Sequence, residues 1–230
     1  MSNRPVSRRL ATSMWRWTAP TLTAAVLGII IATGSRAAES IILDVDGAPP
    51  YRIERDAPGV TQSAWELAKT IKALDQRLKS SIPIGQLNDP ELEAATRIAV
   101  GDLRSNALQS LQLALEIQAR TSGSLDATLM SSAAGSAGQA LEVLRNPPKR
   151  LRVLTEITAS LAGTFLQYIS AGELKLERGS WLSYNPGARL PIGVYAFRVC
   201  AEIGGAELYR EPVSVLYEPT KLILNVPKRP

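Results

Sequence analysis

Histidine is absent from this 230-residue chain, and Cys200 is its only cysteine. Without histidine there is no Ser-His-Asp triad, no Cys-His pair and no imidazole ligand for zinc. A single cysteine cannot form an internal disulfide, an iron–sulfur cluster or a dithiol redox pair. The sequence therefore argues against most nucleophilic, zinc-dependent and redox catalysis. We predict no catalytic residue, no metal site and no cofactor.

Phosphate-binding motifs are missing as well. Neither GxxxxGK[ST] nor GxGxxG occurs, and the AGSAG segment at 134–138 has no lysine and no preceding strand. Carboxylate chemistry stays open, but Glu116, Glu142 and Glu156 each stand alone on a predicted helix. A Ser-Lys pair would need one of three lysines that we place on a solvated face, Lys69, Lys72 and Lys79. A carboxylate-dependent enzyme acting on cell-wall glycan is therefore the alternative function, not the leading one.

Acidic residues are missing from the start of the chain, where Arg4, Arg8, Arg9 and Arg16 precede nineteen uncharged residues at 17–35. A basic start followed by an apolar run and small residues is typical of a secretory signal peptide. The rival interpretation is an uncleaved anchor, because the run approaches the ~20 residues that span a bilayer. We predict that residues 1–37 are a signal peptide or a membrane anchor.

This leader also explains the basic charge of the chain. There are 26 Lys and Arg against 21 Asp and Glu, and the arginines up to Arg36 account for the whole excess. Nucleic-acid binding needs a clustered basic surface, so we predict no nucleic-acid partner. Asn-X-Ser/Thr acceptors are absent, which favours a bacterial envelope. We expect a protein in the periplasm, or anchored in the inner membrane and facing it, with membrane contact only through 17–35.

Residues 57–172 show helical periodicity, and we interpret them as an antiparallel bundle of about four helices. Thr61 or Ser63 would cap the first helix, Asp89 the second and Ser124 the third. The small residues at 131–140 predict close packing against a neighbouring helix; a membrane-inserting segment is the alternative. The fourth helix, 149–171, would stop at Gly172 and present Leu151, Leu154, Thr158, Leu161, Phe165 and Ile169.

Period-two alternation predicts an antiparallel β-unit over 173–230. ELKLER and SWLSY are predicted strands, and Asn185-Pro186-Gly187 is a predicted turn. In the strand that follows, alternation places Tyr195, Phe197 and Val199 on a covered face and Cys200 on the more polar face. The segment LPIGVYAFRVCAE at 190–202 resembles the strand before the last hairpin of fibronectin-type-III and immunoglobulin-like sandwiches, where a tyrosine anchors a corner. The resemblance assigns no site residue.

The predicted fold class is therefore α+β: a signal or anchor helix, the helical bundle, and a small immunoglobulin- or fibronectin-III-like β-unit. Residues 173–230 hold too few strands for a complete sandwich. Two short strands within 38–56 are predicted to pair with the C-terminal sheet and supply what it lacks.

Aromatic residues make up only 5% of the chain, so an exposed group of them would be informative. Trp181, Tyr184, Tyr209 and Tyr217 are the candidate partner-binding residues, since exposed aromatics anchor protein and glycan partners. Their alternative role is to cap the β-core. The predicted function is a non-enzymatic structural or protein-interaction role in the envelope, with an unknown envelope protein as partner. A small-ligand carrier that uses the bundle interior is a further alternative.

Overall fold

In the part of the chain that the computed structural model describes, three long helices lie between an N-terminal β-hairpin and a C-terminal series of strands. All of this part falls within the unit Ala37–Pro230. No helix in this part is both long enough and apolar enough to cross a membrane. The predicted signal or anchor segment 1–37 lies outside the described residues. These are 39–45, 48–80, 82, 84, 87, 89–121, 123–175, 179–203 and 205–227.

The described part is α+β, with sheets of two, three and four strands. Its elements are β1 (Ser40–Val45), β2 (Ala48–Glu54), α1 (Gln62–Lys79), α2 (Pro90–Thr121), α3 (Ala127–Arg145), β3 (Arg152–Ala159), β4 (Phe165–Ser170), α4 (Ala171–Lys175), β5 (Leu182–Ser183), β6 (Arg189–Pro191), β7 (Gly193–Cys200), β8 (Glu207–Val215) and β9 (Thr220–Leu224).

The β1–β2 hairpin forms a two-stranded antiparallel sheet of its own. The prediction that these strands complete the C-terminal sheet is therefore wrong. Leu43 and Ile53 are buried and belong to the core that the three long helices share. The hairpin's apolar face is thus already covered by helices, and the C-terminal sheets form without strands from the hairpin.

Local capping chemistry fixes the starts of the first two helices. The Thr61 side chain accepts a hydrogen bond from the Ala64 amide at 3.2 Å and caps α1. Asp89 caps α2 by accepting from the amides of Glu91 and Leu92 at 2.9 and 3.3 Å, and Pro90 occupies the first helical position. Both caps lie at predicted residues.

Small residues line the seam between α2 and α3. Ala133, Ala137 and Ala140 are almost completely buried in the helical core, so this face of α3 packs closely, as the small-residue segment predicted. The cap of α3 is Asp126, whose side chain accepts from the Leu129 amide at 3.0 Å. The prediction of Ser124 as the cap is wrong.

The predicted antiparallel four-helix bundle is absent from the described part, because residues 149–171 do not form a fourth long helix. They form β3 and β4, joined by a turn in which Gly163 has a φ of +74°. Val153, Thr155 and Ile157 are buried, whereas Arg152 and Glu156 are exposed, which is the alternation of a strand. Three β-branched residues on the buried face favour the strand over the helix.

The C-terminal β-unit consequently starts at Arg152 rather than at residue 173, and strands are not confined to the C-terminus. The predicted ELKLER strand is also wrong. Ala171–Lys175 is the short helix α4, so Gly172 lies inside a helix, and residues 176–178 lie outside the described part. The Asn185-Pro186-Gly187 turn is present, with Gly187 at a φ of +88°.

Two sheets build this β-unit. One has the order β6-β3-β9, with β3 antiparallel to β6 and parallel to β9. The other has the order β5-β4-β7-β8 and is antiparallel throughout. Apolar side chains from both sheets meet in a second core. It contains Val153, Ile157, Leu166, Tyr184, Leu190, Tyr195, Phe197, Val199, Val213, Val215 and Leu224.

Where the helices meet the β-unit, each of the two cores includes residues from the other part of the structure. Val194 and Leu216 belong to the helical core, whereas Leu92 of α2 belongs to the β-core. At the same end of β7, the Tyr195 hydroxyl donates to the Pro191 carbonyl at 2.9 Å. Burial raises the pKa of Tyr195 to about 12, so this phenol keeps its proton at neutral pH.

Candidate functional site

The four candidate aromatics do not form one surface. Tyr184 is buried in the β-core, where its hydroxyl lies 2.8 Å from the carbonyl and side-chain oxygens of Thr155. The same hydroxyl accepts from the Ile157 amide at 3.1 Å. Tyr184 therefore links the Asn185 turn to β3, which is the core-capping role.

Tyr209 and Tyr217 lie apart from one another. Tyr209 packs against the β-core, and its hydroxyl donates to Glu211 at 3.0 Å; burial raises the pKa of Tyr209. The hydroxyl of Tyr217, which is more exposed, donates at 2.6 Å to the carbonyl of Asn146, the residue that ends α3. Tyr217 thus contacts the helical part of the molecule.

Trp181 is the candidate that lies beside two arginine side chains. The guanidinium of Arg198 lies 4.3 Å from the centre of the Trp181 ring, and that of Arg210 lies 5.1 Å from it. Arg198 and Arg210 face each other in register across β7 and β8. Trp181 therefore covers two neighbouring cations on the outer face of the four-stranded sheet. We refer to Trp181, Arg198 and Arg210 as the Trp–Arg cluster.

An apolar groove adjoins this cluster. It encloses about 410 Å³, and its polar lining includes Gln167 and Ser183. Three exposed apolar side chains line it: Leu161 at 48%, Phe165 at 43% and Ile203 at 70% exposure. They come from the β3–β4 turn, the start of β4 and the segment after β7. Large apolar side chains gathered at one exposed site are typical of interaction surfaces. We call this site the apolar groove.

Gln167 joins the groove to the Trp–Arg cluster. It lies in register with Arg198 on β7 and with Ser183 on β5. The Nε of Arg198 donates to the Gln167 Oε1 at 2.9 Å, and the thiol of Cys200 lies 3.8 Å from the same oxygen. Cys200 is fully buried despite its predicted place on the polar face, because both faces of β7 are covered.

A second, polar cleft of about 350 Å³ lies between β1, α1 and α2. Asp44, Asp75 and Asp102 line it together with Lys79 and Arg104. Asp75 and Arg104 form a buried ion pair, with 2.5 Å between Asp75 Oδ1 and Arg104 Nε. Arg104 also donates to the Asp44 carbonyl, and Asp44 forms an ion pair with Lys79. The hydrogen bond and charge of Lys79 lower the pKa of Asp44.

The remaining candidate carboxylates and lysines form ordinary surface contacts. Glu116 pairs with Arg120 at 3.6 Å, the Glu142 carboxylate accepts from the side-chain amide of Asn146 at 2.6 Å, and Glu156 pairs with Lys221 at 2.8 Å. Glu156 is on β3 rather than on a helix. Lys69 pairs with Glu66, and Lys72 donates to the Ile42 carbonyl. Among the described residues, no group of three or more Asp, Glu or Cys side chains is arranged to hold a metal ion.

Sequence reasoning missed the apolar groove, because it placed Leu161 and Phe165 on the buried face of a helix. The β-branched residues of β3 were the signal that could have corrected this. The position of Arg198 opposite Arg210 depends on the register between β7 and β8, and no local sequence pattern encodes that register.

No protein-family model, curated protein or solved structure matches this chain.

Proposed function

We propose that this chain is an exported, non-enzymatic envelope protein that binds a partner protein through the apolar groove. The observation that carries the proposal is the exposure of Leu161, Phe165 and Ile203 around one concave site of about 410 Å³. Exposing three large apolar side chains together costs solubility without stabilising the fold. Such a cost is compensated when a partner covers the site.

The state of the cleft carboxylates argues against the glycan-hydrolase alternative. That chemistry needs one carboxyl group with a raised pKa to act as the acid and a second carboxylate nearby. Lys79 instead lowers the pKa of Asp44, and Asp75 is held by Arg104 in a buried ion pair. These contacts favour a cleft that fastens the hairpin to α1 and α2 over one that transfers protons.

The carrier alternative has weak support from the helical layer. It requires space between the helices, whereas Ala133, Ala137 and Ala140 pack α3 onto α2 with almost no exposure. Export rests on the sequence of residues 1–37 alone.

The test is an affinity isolation from chemically crosslinked envelopes of cells that produce the tagged chain. We expect specific proteins to be recovered with the wild-type chain and to be lost with the double variant Phe165→Ser/Ile203→Ser. Both side chains are exposed, so the substitutions should leave the fold intact, which circular dichroism checks.

A control removes two exposed apolar side chains of α2 that lie outside the groove. Leu113 is 44% exposed and Ile117 is 36% exposed. Leu113→Ser/Ile117→Ser should recover the same proteins as the wild type. Equal recovery with Phe165→Ser/Ile203→Ser would refute the groove as the binding site.

A further inference from the structure

The Trp–Arg cluster indicates that a partner bound in the apolar groove also carries a negative charge. Arg198 is half-buried beneath Trp181, and its Nε is used by the neutral side chain of Gln167. Among the residues that the structure describes, no carboxylate forms an ion pair with Arg198. A cation withdrawn from water without an opposite charge is unfavourable, so Arg198 is suited to an anion supplied from outside.

Arg210 adds to the case that an anion binds beside Arg198. It stands directly opposite Arg198 in the β7–β8 register, and like charges at such positions repel one another. Glu207 neutralises Arg210, with 2.5 Å between Glu207 Oε2 and Arg210 Nη2. The cluster therefore retains about one positive charge, centred on Arg198 and held in place by the Trp181 ring.

The strand geometry sets the distance between this charge and the groove. Phe165 and Gln167 lie two residues apart on β4, and their β7 partners Cys200 and Arg198 are likewise two residues apart. Alternation puts all four on the same face. At ~3.3 Å per residue, the Phe165 row and the Arg198 row are separated by about 7 Å, which is also the spacing of side chains i and i+2 in an extended peptide.

We propose, resting on the proposed function, that the partner presents an extended segment with an apolar side chain and an Asp or Glu two residues away. The apolar side chain enters the groove beside Phe165 and Ile203, and the carboxylate pairs with Arg198. Ser183 and Gln167, which lie in the same row as Arg198, supply hydrogen bonds to the segment's polar atoms beside the carboxylate.

A peptide fits this surface better than a lipid membrane does. Recognition of anionic lipids usually takes a cluster of about four to eight basic residues near the surface. The Trp–Arg cluster offers two arginines, one of them already neutralised by Glu207. One available guanidinium suits a single carboxylate.

The test is selection of a phage-displayed library of random 12-residue peptides on the purified exported form of the chain. We expect enriched peptides to share an apolar residue and an Asp or Glu at i and i+2. Phe165→Ser should abolish detectable binding of the best synthetic peptide, and Arg198→Gln should weaken it about tenfold, as loss of one charge-assisted contact implies. Arg145→Gln, at an exposed arginine on α3, is the control and should leave the affinity unchanged.

Three results would overturn the inference, and they separate it from the proposed function. Enriched peptides that need Phe165 but show no acidic preference would retain the groove and remove the role of Arg198. If no peptide is enriched, or if the enriched peptides bind equally well to the Phe165→Ser and Arg198→Gln variants, the proposed peptide segment is refuted. The isolation of partners from crosslinked envelopes tests the groove independently of this result. Sedimentation with vesicles of phosphatidylglycerol and phosphatidylethanolamine that depends on Phe165 and Arg198 would assign the surface to a membrane instead.

Discussion

Asp75→Ala is expected to lower the free energy of unfolding by about 3–5 kcal/mol, because it leaves Arg104 buried without its carboxylate. The side chains of Arg104 and Asp75 are only 4% and 7% exposed, with 2.5 Å between Arg104 Nε and Asp75 Oδ1. Arg104 also donates to the Asp44 carbonyl and so fastens the β1–β2 hairpin to α2. The measurement is a urea titration followed by far-ultraviolet circular dichroism.

Two variants separate the buried pair from charge effects in general. Arg120→Ala breaks an exposed pair on the same helix, where Arg120 and Glu116 are 67% and 49% exposed, and should cost less than about 0.5 kcal/mol. Asp75→Leu/Arg104→Met replaces the whole pair with apolar groups and should recover most of the stability lost in Asp75→Ala. A loss below about 1 kcal/mol in Asp75→Ala would show that the pair is not desolvated.

Phe197→Ala is expected to cost about 3–5 kcal/mol, the usual range for a large aromatic removed from a core. Phe197 is fully buried. Its ring stacks on Tyr168 at 5.7 Å and meets Tyr184 edge-on at 5.1 Å between centroids. Removing Phe197 would open a cavity where the two sheets of the β-unit face each other. Thermal or urea unfolding measures the loss.

The chain supplies its own control, because it contains only two phenylalanines. Phe165 is 43% exposed on the neighbouring strand β4, and Phe165→Ala should cost less than about 1 kcal/mol. Similar losses for the two substitutions would contradict the assignment of Phe197 to the core and of Phe165 to the surface.

Local signals were sufficient for the elements that depend on neighbouring residues. Thr61 and Asp89 cap helices because a side-chain oxygen meets an amide two or three positions later, which the sequence displays directly. The β1 and β2 strands were likewise predictable from two short runs of strand-forming residues separated by turn residues. Their pairing was not, because the choice between a local hairpin and a distant sheet edge depends on which surface covers Leu43 and Ile53.

Residues 149–171 show where periodicity misleads. Leu151, Leu154, Thr158, Leu161 and Phe165 have helical spacing, yet the first three fall on or beside β3 and Leu161 is exposed beyond its end. The intrinsic preference of Val153, Thr155 and Ile157 for strands outweighed that spacing. This segment supplies two strands, so predicting it as a helix also gave the wrong positions for the groove residues Leu161 and Phe165.

The candidate site was predictable only in part. Trp181 was identified from the scarcity of aromatics, but Tyr184 is buried within the β-core and is used to hold Thr155 and Ile157. Arg198, Gln167 and Arg210 form one row only after three strands adopt their registers. Register is set by long-range packing, so sequence distance gives no indication that these residues meet.

Site-specific photocrosslinking would show whether a partner protein contacts the apolar groove. A photoreactive amino acid is placed at Leu161 or Ile203 in the groove, or at Leu113 or Ile117 on α2, in cells that export the chain. We expect adducts with the same partner protein from positions 161 and 203 and none from 113 and 117. Adducts of equal yield from all four positions, or none from either groove position, would contradict the proposed function.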